Sequence, residues 1–232
     1  MKKKALGPLH GVPVSIKDLV PTAGIRTTWG SKLYEHHIPD EDGLVVARLK
    51  AAGAIVIGKT NTPEFGAGAN TYNAVFGPTR NPWNSALTCG GSSGGAAVAL
   101  ATGMGQLAQG SDLGGSLRIP AAFCGVVGFR TTPGLVPVYP SQLGWDTYSV
   151  QGPMARTVAD TALMLAAISG PDERVPISFQ VDTREFVRAV KAPSVKRLRV
   201  AWSPDLGIAP VERQVKQVAE TAAKVFARLG AR

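Results

Sequence analysis

Residues 40–60 read DEDGLVVARLKAAGAIVIGKT, and the change of pattern halfway along this stretch decides the fold class. The acidic trio Asp40-Glu41-Asp42 starts a helix through Leu44, Val45, Leu49 and Ala52, and Gly53 stops it. Ala54–Gly58, AIVIG, is an apolar run of strand length, expected to be buried, with Lys59 just past its end. A helix passing directly into an apolar strand is the building unit of an α/β domain. The same alternation extends outward. Before it, Val12–Ile16 reads as a short strand delivering Lys17 and Asp18. After it, Asn61–Trp83 is irregular, punctuated by Gly, Pro and Asn. Ser93–Thr102 then reads as a small-residue helix, Gln106–Gln109 as a short strand, Leu117–Phe123 as the start of a helix and Val126–Arg130 as a strand. Thr157 and Asp160 form a capping box ahead of a helix ended by Gly170-Pro171. Residues 171–195 read as a surface connection and Arg197–Trp202 as a strand. Glu212–Leu229 reads as a helix with Val215, Val218, Ala219, Ala222, Phe226 and Leu229 on one face.

The 232 residues suffice for a sizeable core, and charge avoids the middle of the chain. Residues 51–150 hold seven charges, Lys59, Glu64, Arg80, Asp112, Arg118, Arg130 and Asp146, and none falls between Asn81 and Ser111. A stretch that avoids charge without being uniformly apolar reads as interior or a shaped cleft. Asn, Pro, Ser, Thr and Gly interrupt it too often for a membrane span. The basic start, MKKKALGPLHGVP, has no apolar run behind it and so does not read as a signal peptide, which predicts a cytoplasmic protein. The net charge of +9 gathers in residues 180–232, which carry +6. Without interleaved aromatics this reads as a solvated basic face, and no nucleic-acid partner is expected. Cys89 and Cys124 fit neither a disulfide framework nor a CxxC site, and His10, His36 and His37 cannot complete a zinc site with them at any usual spacing. No metal is implied.

Two clusters carry the chemistry: CGGSSGG at 89–95 and GSDLGGSLRIPAA at 110–122. Close packing of helices on a sheet also selects Gly, Ala and Ser. Two such clusters separated by one helix and one strand, however, can meet at one sheet edge. Gly114-Gly115-Ser116 precedes a helix start, where backbone N–H groups can hold an anion. Gly91-Ser92-Ser93-Gly94-Gly95 matches GxSxG, but that nucleophile elbow needs a later histidine, and none follows His37. Gly103–Ala108 fits a dinucleotide fingerprint only loosely, since it follows a helix and opens none, and no phosphate-cradling GxxxxGK[ST] occurs. A serine nucleophile without histidine needs another base, and a lysine neutralised by burial can serve. Lys17 and Lys59 both end short apolar strands, and spacing does not choose between them.

GVPVSIKD at 11–18, CGGSSGG at 89–95 and GSDLGGSLRIPAAFCGVVG at 110–128 resemble the motifs of the amidase signature family in order and spacing. GKTNTPEF at 58–65 and QGPMARTVAD at 151–160 extend the likeness over nearly the whole chain. The resemblance implies an α/β fold with a mixed central β-sheet flanked by helices. It implies one domain over residues 1–232, lacking the family's usual N-terminal helical segment and its C-terminal part. It also implies a Ser–cis-Ser–Lys triad in which Ser116 is the nucleophile, Ser92 the bridging serine after a cis Gly91-Ser92 bond, and Lys17 the base. Backbone N–H groups of Leu113, Gly114, Gly115 and Ser116 would form the oxyanion hole. Ser93 would join the hydrogen-bond network, and Asp112 and Arg118 would brace the loop. No cofactor is implied.

The expected function is hydrolysis of a small-molecule carboxylic amide through a serine acyl-enzyme. Two alternatives stand beside it: the amidase-like subunit of a tRNA-dependent amidotransferase, and an inactive truncated fragment. The amidotransferase subunits usually place Gln where this chain has Ile119, and a Lys-Pro-Thr run where it has Arg130-Thr131-Thr132. Both departures favour the stand-alone enzyme. Ser111-Asp112-Leu113 also departs from the Thr-Asp-Thr triplet common in the family. An incomplete sheet would leave apolar patches, so the chain is expected to pair with itself or with a missing part.

Overall fold

The structure, a computed structural model, describes residues 6–191 and 194–232. The basic head at 2–4 and residues 192 and 193 of the expected connection lie outside the described residues. The chain has two compact units, Met1–Val190 and Lys191–Arg232.

In the first unit, β1 (Pro13–Lys17), α1 (Leu44–Ala51) and β2 (Ile55–Thr60) come first. They are followed by a two-residue hairpin of β3 (Tyr72–Asn73) and β4 (Gly77–Pro78), then α2 (Gly94–Ala101) and β5 (Leu107–Asp112). Next come α3 (Arg118–Cys124), β6 (Val127–Gly128), β7 (Val150–Ala155), α4 (Val158–Ile168) and α5 (Arg184–Lys191). Among the described residues the main sheet has five strands in the order β2-β1-β5-β7-β6. β1 runs parallel to both β2 and β5, whereas β7 runs antiparallel to β5 and to β6, so the sheet is mixed, as the resemblance implies.

Strand alternation sorts the side chains onto two helical layers. Val14, Ile16, Leu107 and Ala155 face one core with Val45, Val46 and Leu49 of α1 and Met164, Leu165 and Ile168 of α4. Ala108 and Met154 face the other core with Ala96, Ala97 and Leu100 of α2 and Ala121 and Cys124 of α3. On β1 this leaves Ser15 and Lys17 on the α2 side, which is how a lysine comes to lie beneath a charge-free helix. Gly94 and Gly95 let α2 sit close: a Cβ on Gly94 would meet Thr71 Oγ1 at 2.3 Å, and one on Gly95 would meet the Asn61 backbone nitrogen at 2.3 Å.

Several local expectations change. α1 starts at Leu44 with Gly43 as its N-cap, and the acidic trio precedes it. There Asp42 Oδ1 accepts from Ala23 N–H (2.8 Å) and Lys50 Nζ (2.8 Å) instead of capping the helix. β2 is an edge strand with Ile55 and Ile57 exposed, not a buried one, because only β1 pairs with it. The irregular stretch holds the β3–β4 hairpin, and the expected surface connection holds α5, whose Phe186 packs on the α1/α4 core. Thr157 caps α4 as expected, its Oγ1 accepting from Asp160 N–H (3.1 Å), but the return bond of the box runs from the Thr157 hydroxyl to Asp160 Oδ2 (2.6 Å) and not from the Thr157 N–H.

In the second unit, α6 (Arg213–Arg228) matches the expected helix but has no buried residue. Residues 197–202 form no strand. Apart from a local turn bond from Leu198 N–H to Val195 O, their backbone bonds among the described residues run to the chain end, from Arg197 N–H to Gly230 O, Val200 N–H to Arg232 O and Arg232 N–H to Leu198 O. Arg197 sits at φ 70°, outside the extended region a strand requires. No helix among the described residues is long and apolar enough to cross a membrane.

Candidate active site

β1 ends at Lys17, whose side chain is fully buried. Its Nζ donates to Ser92 Oγ at 2.7 Å and to Ser111 Oγ at 3.0 Å. Neither partner is charged. Burial therefore lowers the Lys17 pKa to about 7, against a smaller upward pull from the Asp112 carboxylate. An amine in this state can accept a proton near neutral pH. The backbone N–H of Lys17 also donates to Gln109 Oε1 on β5 (3.2 Å), which fixes the strand end on which the amine depends.

Ser92 and Ser93 precede α2 and are buried, and the Gly91-Ser92 peptide bond is cis. Thr71 Oγ1 donates to Gly90 O (2.8 Å) and accepts from Gly94 N–H (3.1 Å), holding both flanks of the serine pair. Ser93 Oγ donates to Ser111 O (3.2 Å) and accepts from Ser111 N–H (3.3 Å), so it joins the two glycine-serine clusters through the backbone of β5. Ser93 N–H donates in turn to Ser116 O at 3.2 Å. The clusters therefore meet at the C-terminal end of β5, the central strand of the sheet, and not at a sheet edge. Ser116 is partly exposed, and among the described residues no hydrogen bond joins its hydroxyl to Ser92.

The loop carrying Ser116 is organised by Asp112, the last residue of β5. Its carboxylate accepts from Gly115 N–H (2.8 Å), Leu117 N–H (3.1 Å), Arg118 Nε and Nη2 (both 3.0 Å) and Arg130 Nη1 (2.9 Å). Burial pushes this carboxyl up, but the Arg118 guanidinium and the two backbone donors outweigh it and hold the group well below the usual carboxylate range. One expectation needs correction: the Gly115 N–H is directed to Asp112, because the turn at φ 119° wraps the loop around that carboxylate. The N–H groups of Leu113, Gly114 and Ser116 have no backbone or side-chain acceptor among the described residues. The Leu113 side chain is exposed on this loop.

A family model described as Amidase matches residues 1–232. The chain belongs to the amidase signature family. An acylamidase of Rhodococcus erythropolis is 48% identical to it over 226 residues, 97% of this chain and 47% of that protein. A glutamyl-tRNA(Gln) amidotransferase subunit from Carboxydothermus hydrogenoformans is 44% identical over 225 residues, 97% of this chain and 46% of that one. The crystal structure of a bacterial aryl acylamidase of the amidase signature family matches with a TM-score of 0.93 at 34% identity, covering 100% of this chain and 48% of the other. This amidase-signature chain thus spans about half the length of the relatives it matches.

Three residues of this amidase-signature site escaped the sequence reading. Ser111 is the second partner of the Lys17 amine, and the hydroxyl residue opening the Ser111-Asp112-Leu113 triplet was its only signal. Gln109 reads as an ordinary strand residue, yet it binds the Lys17 backbone. Arg130 follows β6 and reaches Asp112 through a contact 18 residues distant in sequence, which no local pattern announces.

Proposed function

We propose that this chain carries the catalytic machinery for hydrolysing a carboxylic amide through a serine acyl-enzyme. Ser116 is the nucleophile, Ser92 the proton relay and Lys17 the base. The observation that carries this reading is the fully buried Lys17 amine 2.7 Å from Ser92 Oγ, with no carboxylate among its hydrogen-bond partners.

Neutral Lys17 takes the Ser92 proton as Ser92 takes that of Ser116, and Ser116 Oγ attacks the amide carbonyl. The N–H groups of Leu113, Gly114 and Ser116 hold the developing oxyanion. The relay then delivers a proton to the leaving amine, and water cleaves the ester. The acylamidase and aryl acylamidase relatives support an acyl amide as the substrate class. The amidotransferase relative keeps a role in amide transfer to tRNA as the second reading. Ile119 and the Arg130-Thr131-Thr132 run weigh against that reading.

The test is to treat the purified chain with a fluorophosphonate serine probe and to map the adduct by peptide mass spectrometry. An adduct at Ser116 that disappears in Lys17→Ala is expected. An adduct at Ser93 would overturn the assignment of roles. A folded chain that takes no label would overturn the proposal.

A further inference from the structure

We infer that Arg130 is a positioning residue for the proposed hydrolysis, tying the nucleophile loop to residues 143–148 and offsetting the charge of Asp112 beside the lysine base. The inference rests on the assignment of Lys17 and Ser116 given above. Arg130 Nη1 donates to the backbone carbonyl of Asp112 at 2.5 Å and to its Oδ1 at 2.9 Å, and Nη2 donates to the backbone carbonyl of Tyr148 at 3.0 Å. One planar guanidinium thus joins three acceptors on two segments from two nitrogens held apart in a fixed plane, a span that the single nitrogen of an ammonium does not cover.

Both segments matter. Asp112 opens the loop that presents Ser116, and its carboxylate sets that loop's shape through Gly115 and Leu117. The second segment exposes Leu143, Trp145 and Tyr148, and its turn is closed by Asp146 Oδ1 accepting from the Tyr148 and Ser149 N–H groups. The register Asp112↔Val150 brings this segment alongside the nucleophile loop, just before the chain enters β7. Arg130 is therefore the side-chain link between the loop that holds the nucleophile and an exposed apolar rim beside it.

The electrostatic part follows from the charges on the elements packed around Lys17. β5 contributes Asp112, the anion that favours protonated Lys17. α3 contributes Arg118 and the turn after β6 contributes Arg130, both paired with Asp112. β2 contributes Lys59, which lies 4.0 Å from Asp18 of the segment after β1. α2 contributes no charged residue. Removing Arg130 leaves Asp112 less compensated, so protonated Lys17 becomes more favourable and the neutral base is reached only at higher pH.

The experiment follows the rate of Ser116 labelling by a fluorophosphonate between pH 5 and 9 in the wild-type chain, Arg130→Gln and Arg130→Lys, with circular dichroism to confirm folding. For Arg130→Gln the acid limb should move up by about half a pH unit or more, with a plateau about tenfold lower. Arg130→Lys should restore the wild-type limb but leave the plateau roughly threefold low, because charge returns without the three-way link. A folded Arg130→Gln with an unmoved limb overturns the inference, since a merely structural role lowers the plateau alone. Should Arg130→Gln fail to fold, a wild-type plateau in Arg130→Lys overturns it equally. If the folded wild-type chain takes no label at Ser116, the proposed function fails and this inference with it. If the wild type labels and the variants match it, only the inference fails.

Discussion

Lys17 is the last residue of β1 and Lys59 the last but one of the parallel neighbour β2, one position apart in register, and both are depressed by burial, to a pKa of about 7 and about 8. Their surroundings nevertheless differ in kind. Lys59 Nζ donates to Val20 O, to Thr22 Oγ1 (2.9 Å) and to Thr27 Oγ1 (2.9 Å), and stands 4.0 Å from Asp18 Oδ1. Asp18 in turn accepts from Thr28 N–H (3.1 Å) and from Thr28 Oγ1 (2.5 Å). Every donor of Lys59 is thus used in lacing the segment after β1 to β2. Lys17 meets only two hydroxyls, each of which can itself give up a proton. A downward shift caused by burial therefore accompanies two different sets of acceptors, and it is the acceptors that suit Lys17 to the proposed base and Lys59 to a structural tie.

The sharpest way to break this comparison is to remove each amine in turn. Lys17→Ala and Ser116→Ala should each lower fluorophosphonate labelling by about a thousandfold or more while the fold persists. A Lys17→Ala chain that still labels within tenfold of wild type would remove the distinction. Next in size is pH. Lys17 must be neutral to act, so the labelling rate should fall about tenfold for each pH unit below 7 and level off above it. A flat profile from pH 5 to 8 would show that the amine does not limit the step. Ser111→Ala removes the second hydroxyl from Lys17 and should slow labelling by roughly threefold to tenfold, with Ser92 still in place.

Lys59→Met should change labelling least and stability most. Losing the tie leaves Val20 O, Asp18 and two threonine hydroxyls without their cation, a cost of about 2–4 kcal/mol by denaturant titration. Lys17→Met should cost less than about 1 kcal/mol near pH 7, because it removes a buried amine that folding must desolvate. It should also flatten the pH dependence of stability. Between about pH 7 and the ordinary lysine value of 10.5, the unfolded wild-type chain binds more protons at this site than the folded one, so wild-type stability rises with pH there.

Much of this was legible in the sequence. The strands before Lys17 and Lys59 and the helices α1, α2 and α4 lay within a few residues of their expected positions, because apolar spacing and the Thr157 cap speak locally. β7 was not legible, since Gly152 and Pro153 interrupt it. Pro153 is tolerated because its carbonyl accepts from Phe129 N–H beyond the end of β6. Its missing N–H is on that same side and breaks no bond to β5. The strand expected at 197–202 failed for the converse reason: the β-prone residues are there, but among the described residues of its unit they meet a local turn at Val195 and the last few C-terminal residues instead of a partner strand. At the site, the motifs singled out Lys17, Ser92, Ser93, Asp112 and Ser116, among which the structure shows bonds from Lys17 to Ser92 and from Ser93 N–H to Ser116 O. The tie between the two lysines, the Ser111 hydroxyl and the reach of Arg130 depend on strand neighbours that spacing does not reveal.

The close seating of α2 bears on how any mutational scan of this region would be interpreted. Alanine at Gly94 or Gly95 would meet Thr71 and Cys89, or the Asn61 backbone, at 2.3–2.7 Å, and would push the helix off the hairpin region it rests on. Such variants would score as null alongside Ser92→Ala though neither glycine touches a reacting atom. A tolerance map of residues 89–116 would therefore trace steric clearance as faithfully as chemistry, and only the pH profile of the survivors would separate the two.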